Sequence, residues 1–447
     1  MVKFPPVREA GLEFSQPLSP LELLMLQDAR PGYSMSFFVE TGLHGPLCKE
    51  RFQRCVHALV RRHPRLGSRV RKRLHAWEWS APDRVPIVEW LPAERLERAT
   101  DALANTSVDL RETSGVRFIA IEVAPLVWRV IMHVHHAVCD GVASLEVLGD
   151  LWSLYHESSL PDFRAGKAVF PVPTPDMVPD ASTPWWHAVR EFLTNRPAVV
   201  ASLAAPTEAP GAAPWPLYST VTFSADLTQR LRHAAEAASA TVNDVVVAAT
   251  MRAIAAWNAA AGAPERTIRI NMPTNLRPAG SRSPAANEMS YAFLDRIPSE
   301  CASYHSLVRS LASASKWIQT TRATEQFLDV LAACCRIPGL LTIITRLPVC
   351  FSTAVVSNVG NVVSRMRTNA PIRDGRICPA DLTITHINGV PPLRPLTRVA
   401  VGVTTYQAVT TLSVMCAPGF FTPAMQQQLA DRIGEEIAVF ADGNDLR

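Results

Sequence analysis

Residues 127–135, VWRVIMHVH, alternate Trp128, Val130, Met132 and Val134 against Val127, Arg129, Ile131 and His133. That is the period of two of a β-strand. The run passes directly into His136-Ala-Val-Cys-Asp140-Gly141. Over residues 141–156, Val142, Leu145, Leu148, Leu151 and Leu154 then recur at helical spacing. Asp-Gly permits a tight turn between the two elements, because Gly141 brings no Cβ into it. A strand feeding a helix through so short a turn points to a layered fold with strands and helices interleaved.

Similar patterning runs through the chain. A strand is expected at 34–41 and a helix at 46–62, punctuated by Pro46 and by His63-Pro64. Paired strands at 116–123 and 127–135 are joined by a short Ala-Pro turn. In the second half strands are expected at 217–223, 267–272, 349–357, 399–406 and 409–416. Helices are expected at 228–238, from Thr241 onward, at 307–323, at 324–336 and at 422–440, with Thr241 as the N-cap of its helix. The chain has 447 residues, too many for one ordinary core, so two mixed α/β domains are expected. Residues 170–216 are Pro/Ala-rich and make the best boundary. The expected division is 1–175, a crossover linker at 176–215 with a short helical piece near 185–193, and 216–447.

Composition narrows the function classes. The formal charge is +4, too small an excess to imply a nucleic acid partner. The basic run at 61–73, RRHPRLGSRVRKR, reads as a solvated helix end entering an edge strand; it could also receive an acidic protein surface. Nine cysteines lie scattered without a CxxC pair, the usage of reduced thiols, which points to a cytoplasmic protein. The N-terminus has no apolar core of a secretory signal, and no apolar run is long enough to span a bilayer.

Three histidines, His133, His135 and His136, precede Asp140. A metal site would need three or four convergent ligands, whereas adjacent strand residues point to opposite faces, so the expectation is no metal. A second reading makes one of them a general base at the strand end. A third makes them strand histidines satisfied by backbone groups. No Gly-x-Ser-x-Gly elbow is present, so a base would act on substrate rather than on an enzyme nucleophile. Cys139 is read as a pocket thiol, not a nucleophile.

His135-His136-Ala-Val-Cys-Asp140-Gly141 resembles the HHxxxDG motif of the superfamily typified by chloramphenicol acetyltransferase. That superfamily includes nonribosomal peptide condensation domains, polyketide-associated acyltransferases, alcohol acetyltransferases and bacterial wax ester synthases. PLSPLELLMLQ (17–27), the stretch 45–70 with its HPRLGSR turn, TVNDVVVAA (241–249), NMPTNLRP (271–278) and VVSNVG (355–360) resemble further family segments in the same order, so the resemblance spans nearly the whole chain. Gly67 departs from it, standing where the turn motif has Arg, and the late DFGWG motif of plant-type members is absent.

The resemblance implies an α/β fold of two chloramphenicol-acetyltransferase-like subdomains, a pseudo-dimer with an active-site tunnel between them. It implies that His136 is the general base and that His135 is structural. Asp140 would form a salt bridge that holds the loop, with Arg62 or Arg277 as its partner and Arg62 the first choice, while Gly141 shapes the turn. Ser357 and Asn358 are candidates for binding the oxyanion, or else simply cap a turn. Asn243-Asp244 and Asn275 are expected to cap a helix and a turn. The implied activity is transfer of an acyl group from a thioester to a hydroxyl or amine, with no bound cofactor. The co-substrate would be acyl-CoA or a phosphopantetheinyl carrier protein, the acceptor a small molecule, and peripheral contact with lipid is compatible. The alternative is a non-catalytic binding scaffold on the same fold.

Overall fold

A computed structural model of the chain describes residues 16–30, 33–74, 76–92, 108–160, 196–201, 218–278, 280–282, 284–321 and 323–443. In chain order the first elements are α1 (Pro20–Asp28), β1 (Ser36–His44), α2 (Lys49–Arg62), β2 (Val70–Arg73), β3 (Ala76–Trp79), β4 (Ile87–Pro92), β5 (Val116–Ala124), β6 (Val127–His135) and α3 (Gly141–Glu157). Next come β7 (Ser219–Phe223), α4 (Ala225–Ala237), α5 (Val242–Ala260), β8 (Ile268–Asn275), β9 (Met289–Arg296), α6 (Tyr304–Thr320), α7 (Ala323–Cys335), α8 (Leu340–Arg346) and β10 (Ala354–Asn361). They are followed by α9 (Val362–Met366), β11 (Thr383–Val390), β12 (Val399–Tyr406), β13 (Val409–Cys416) and α10 (Pro423–Ala441).

The chain forms two units. The first takes Met1–Val178, Arg277–Glu288 and Asn361–Ile387, and the second takes Pro179–Leu276, Met289–Gly360 and Asn388–Arg447. Most of the expected linker, with the helical piece near 185–193, lies outside the described residues.

The first unit is built on a sheet of order β11-β1-β6-β5-β4. β6 pairs antiparallel with both β1 and β5, and β5 pairs parallel with β4. One face of β6 carries Trp128, Val130, Met132 and Val134. Phe52 of α2 ties this side of the sheet to the helices: its ring lies 5.9 Å from Phe118 of β5, 5.8 Å from Trp90 of β4 and 5.9 Å from Trp152 of α3. Trp90 in turn meets Trp128 edge-on at 6.1 Å. Each such pair adds about 0.5–1.5 kcal/mol to the burial of its rings. His133 and His135 occupy the opposite face, with Arg117 of β5 paired directly across from His133. A smaller sheet joins β2 and β3 to the two-residue strand Gln16–Pro17.

Segment 361–387 docks on α3 through a glycine. A Cβ at Gly149 would lie 1.8 Å from the Met366 carbonyl oxygen. One turn on, Ser153 Oγ accepts the Asn369 amide at 2.8 Å. In an exposed helix Gly→Ala gains about 1 kcal/mol, but here the obstacle is backbone. Gly149→Ala is therefore expected to destabilise by about 3 kcal/mol, read as a lowered urea midpoint at unchanged m-value.

The second unit has a sheet of order β9-β8-β10-β12-β13-β7, with β8 and β10 parallel. Val245, Val246, Ala249 and Ile254 of α5 pack with Leu429, Ile433 and Ile437 of α10 in its core. Thr241 caps α5 as expected, in a capping box with Asp244. The strand expected at 349–357 begins later, at Ala354. No single helix among the described residues is long and apolar enough to cross a membrane.

Candidate active site

The site forms where β6 ends. His135 is the last ladder residue, opposite Ser36 of β1. Beyond it the chain turns: the His136 amide donates to the Met35 carbonyl at 2.8 Å, and the Val138 amide donates to the His135 carbonyl at 2.9 Å. The His135 ring helps hold the turn, because its Nδ1 accepts the Ala137 amide at 3.1 Å. Asp140 then caps α3, one carboxylate oxygen accepting the Val142 and Ala143 amides at 3.0 Å each.

The other oxygen of Asp140 decides which arginine supports the site. It accepts Arg277 Nη1 at 2.8 Å and the Glu288 amide at 2.9 Å. Both side chains of the ion pair are buried. Arg277 Nη2 also donates to the Ala286 carbonyl at 3.1 Å, and the Asp140 amide donates to that carbonyl at 3.2 Å. Arg62, the first choice on sequence, instead pairs with Asp150 of α3 at 3.0 Å. Asp150 also holds His63 at 3.0 Å and Arg282. The His63 Nδ1 accepts the Ala285 amide at 3.0 Å, so its proton sits on Nε2 and is donated to Asp150. Two carboxylates of one helix, Asp140 and Asp150, thus clamp the loop 277–288 against the turn.

This packing takes up half of the basic run 61–73. Arg62 and His63 serve Asp150, Arg65 pairs with Glu22 and stacks on Trp79, and Arg69 pairs with Asp83. Arg61, Arg71, Lys72 and Arg73 remain exposed. Gly67 has no room for the motif arginine: a Cβ there would lie 2.5 Å from the Arg84 carbonyl oxygen.

The three histidines differ in their surroundings. His133 Nδ1 accepts Arg117 Nε at 3.1 Å. Burial, then Arg117 and His135, lower its pKa to about 3. Burial, then His136, lower the pKa of His135 to about 3. With Nδ1 of each taken by a donor, neither offers that lone pair to a metal. Among the described residues no group of three or more His, Cys, Asp or Glu could hold a metal ion. His136 is buried, and its ring meets Phe37 edge-on at 5.1 Å. Its Nδ1 has no hydrogen-bond partner. Burial lowers the pKa of His136, opposed by its own carbonyl, the Asp140 carboxylate and the Asn287 amide. Burial raises the Cys139 thiol far above neutrality, with Asp140 adding to it, so Cys139 stays protonated and is no nucleophile.

A stability consequence follows for His133 and His135. Their folded pKa lies below the ordinary value of 6.5. Between about pH 6.5 and 3 the unfolded chain binds protons that the folded chain refuses, so stability falls as pH falls. Each histidine is expected to contribute a loss of about 1.4 kcal/mol per pH unit in that window. Urea midpoints at pH 7 and pH 5 read this loss together with the same-signed contributions of His57, His63 and His136, whose pKa values burial also lowers.

Sequence reasoning missed Asn287. Its Nδ2 donates to the His136 carbonyl at 2.8 Å and the Ala137 carbonyl at 2.9 Å, while its Oδ1 is buried without a partner. It lies in a Pro/Ala stretch with no signal of its own. Ser357 and Asn358 lie on β10 of the second unit, partly buried, and Asn358 Oδ1 accepts the Gly360 amide at 2.9 Å. Asn243 donates to the Met272 sulfur at 2.9 Å, and Asn275 is exposed at the end of β8.

No protein-family model and no curated protein sequence matches the chain. Solved structures do. The first condensation domain of the calcium-dependent antibiotic synthetase, in complex with a substrate analogue, superposes with a TM-score of 0.69 at 16% identity, covering 96% of each chain. The chain has the condensation-domain fold. This fold also carries the trichothecene 15-O-acetyltransferase from Fusarium sporotrichioides, similar at a TM-score of 0.70 and 12% identity over 95% of each chain. The starter condensation domain of rhizomide synthetase, a mutant solved with C8-CoA and Leu-SNAC, matches at 0.66 and 13% identity over 97% of each chain. The condensation fold is therefore an α/β architecture of two subdomains, as the motif order implied.

Proposed function

We propose that this chain is an acyltransferase that moves an acyl group from a thioester to a hydroxyl or amine, with His136 as general base. The observation that carries the reading is the HHxxxDG turn itself. A buried imidazole kept neutral by its surroundings stands at a strand end, and the buried Asp140–Arg277 pair fixes the turn on which it sits.

In this reading His136 takes the proton of the acceptor as its oxygen or nitrogen attacks the thioester carbonyl. The tetrahedral intermediate collapses with cleavage of the C–S bond, and the proton passes from the imidazolium to the departing thiolate. Base assistance of this kind supplies about 10²–10⁴-fold, with positioning of the reactants adding more. Asp140 and Gly141 set the turn, and His135 braces it through the Ala137 amide. Ser357 and Asn358 are assigned to the oxyanion, where donors act on charge that develops in the transition state. The donor is acyl-CoA or an acyl group on a phosphopantetheinyl carrier protein. Support comes from the rhizomide domain, which was solved with C8-CoA. An acidic carrier would meet Arg61, Lys72 and Arg73, exposed beside Arg71, which is paired with Asp83.

The test incubates the protein with octanoyl-CoA, and separately with an octanoyl-loaded carrier protein, over a panel of alcohols and amines. Acylated product by mass supports the assignment. Absence of product from every donor and acceptor, with binding of any of them retained, shifts the assignment to a scaffold.

A further inference from the structure

We infer that Asn287 is the positioning residue of the base, with its amide oxygen receiving the proton on Nδ1 of His136 so that Nε2 is left bare for the acceptor. This rests on the reading of His136 as the base and adds what sets its tautomer.

The placement of Asn287 is imposed from both sides. The preceding carbonyl, of Ala286, accepts the Asp140 amide and Arg277 Nη2; the following amide, of Glu288, donates to the Asp140 carboxylate. The residue is therefore fixed to the same ion pair that fixes the turn. Its two Nδ2 protons go to the carbonyls of His136 and Ala137. These are the first carbonyls past the end of β6, where no neighbouring strand supplies amides.

Two buried atoms of complementary type remain, Asn287 Oδ1 and His136 Nδ1, neither hydrogen-bonded in this structure, to each other or to another group. An imidazole that uses Nε2 as base must carry its proton on Nδ1, and a buried N–H without an acceptor is costly. The amide of Asn287 acts on the imidazole in the sense expected of an acceptor, favouring its protonated form. His136's own carbonyl is a second acceptor that acts on the imidazole more strongly than Asn287 does, with one of its two lone pairs already taken by Asn287 Nδ2. The charged and titratable groups that act on the ring are Asp140, which favours its protonated form, and the adjacent His135, which stays neutral above about pH 3.

The experiment is a long-range ¹H–¹⁵N spectrum of histidine-labelled protein, with the His136 resonances assigned by their loss in His136→Gln. It needs no substrate. In the wild type His136 is expected as the Nδ1–H tautomer. Asn287→Ala is expected to shift that tautomer measurably toward Nε2–H. Asn287→Asp, which places a carboxylate beside the ring, is expected to raise the His136 pKa by about one unit or more. An Nε2–H wild type overturns the inference, as does an Asn287→Ala protein that keeps the wild-type tautomer, since the own carbonyl would then suffice. Should Asn287→Ala not fold, Asn287→Asp and the wild-type spectrum still decide. The acyl-transfer reading fails separately, through a His136→Ala protein that turns over normally.

Discussion

His136→Ala is expected to lower kcat/KM for acyl transfer by about 10²–10⁴-fold while leaving the fold intact. The loss is the base, since nothing else in the turn can take its place: His133 and His135 hold pKa values of about 3 and spend their Nδ1 atoms on Arg117 and on the Ala137 amide. Substitution removes the ring contact with Phe37 and, on the inferred tautomer, the single Nδ1 hydrogen bond to Asn287. The remaining activity would come from positioning and oxyanion stabilisation. An unfolding free energy within about 1–2 kcal/mol of the wild type, alongside the kinetic loss, separates a catalytic from a structural role.

Arg277→Ala is expected to destabilise the protein by about 3–5 kcal/mol and to abolish transfer with it. The substitution leaves the buried Asp140 carboxylate with three amide donors, from Val142, Ala143 and Glu288, but without a countercharge. It also removes the Nη2 donor to the Ala286 carbonyl, which loosens the loop that carries Asn287. Arg277→Lys keeps the charge and cannot form both contacts, so an intermediate loss is expected. Arg62→Ala should cost less, because Asp150 retains His63 and Arg282. Urea unfolding of the three variants orders them.

The strand, turn and helix at 127–157 were legible because the apolar period changes from two to helical spacing across a single Asp-Gly turn. That Asp140 also caps the helix was not read from the sequence, although an Asp at the head of an apolar helical run is the pattern for it. The partner of Asp140 was not legible. Arg62 and Arg277 both lie in recognisable segments, and the choice depends on the path of the loop 277–288, which no local pattern encodes. The same loop hides Asn287, whose role comes only from the two carbonyls it reaches. Among strands, β3, β4, β9 and β11 went unseen; β3 is only four residues long, and the other three stand at the edge of their sheets. An edge strand is packed by one neighbour and tolerates polar residues, so Ile87–Pro92 carries Glu89 and Met289–Arg296 ends in Asp295-Arg296. The basic run 61–73 shows the opposite error, since its charges look solvent-facing in sequence while Arg62 and Arg65 are paired with carboxylates of α3 and α1.

The central claim is direct transfer from the thioester to the acceptor with His136 as base. The measurement that tests it most directly quenches wild type and His136→Ala during reaction with octanoyl-CoA and an active acceptor, and reads product and intact protein mass together. Product from the wild type at least about 100-fold faster than from His136→Ala, with no mass added to either protein, is the predicted result. An octanoyl adduct on the protein that forms and decays with turnover, or equal product from His136→Ala, would contradict it.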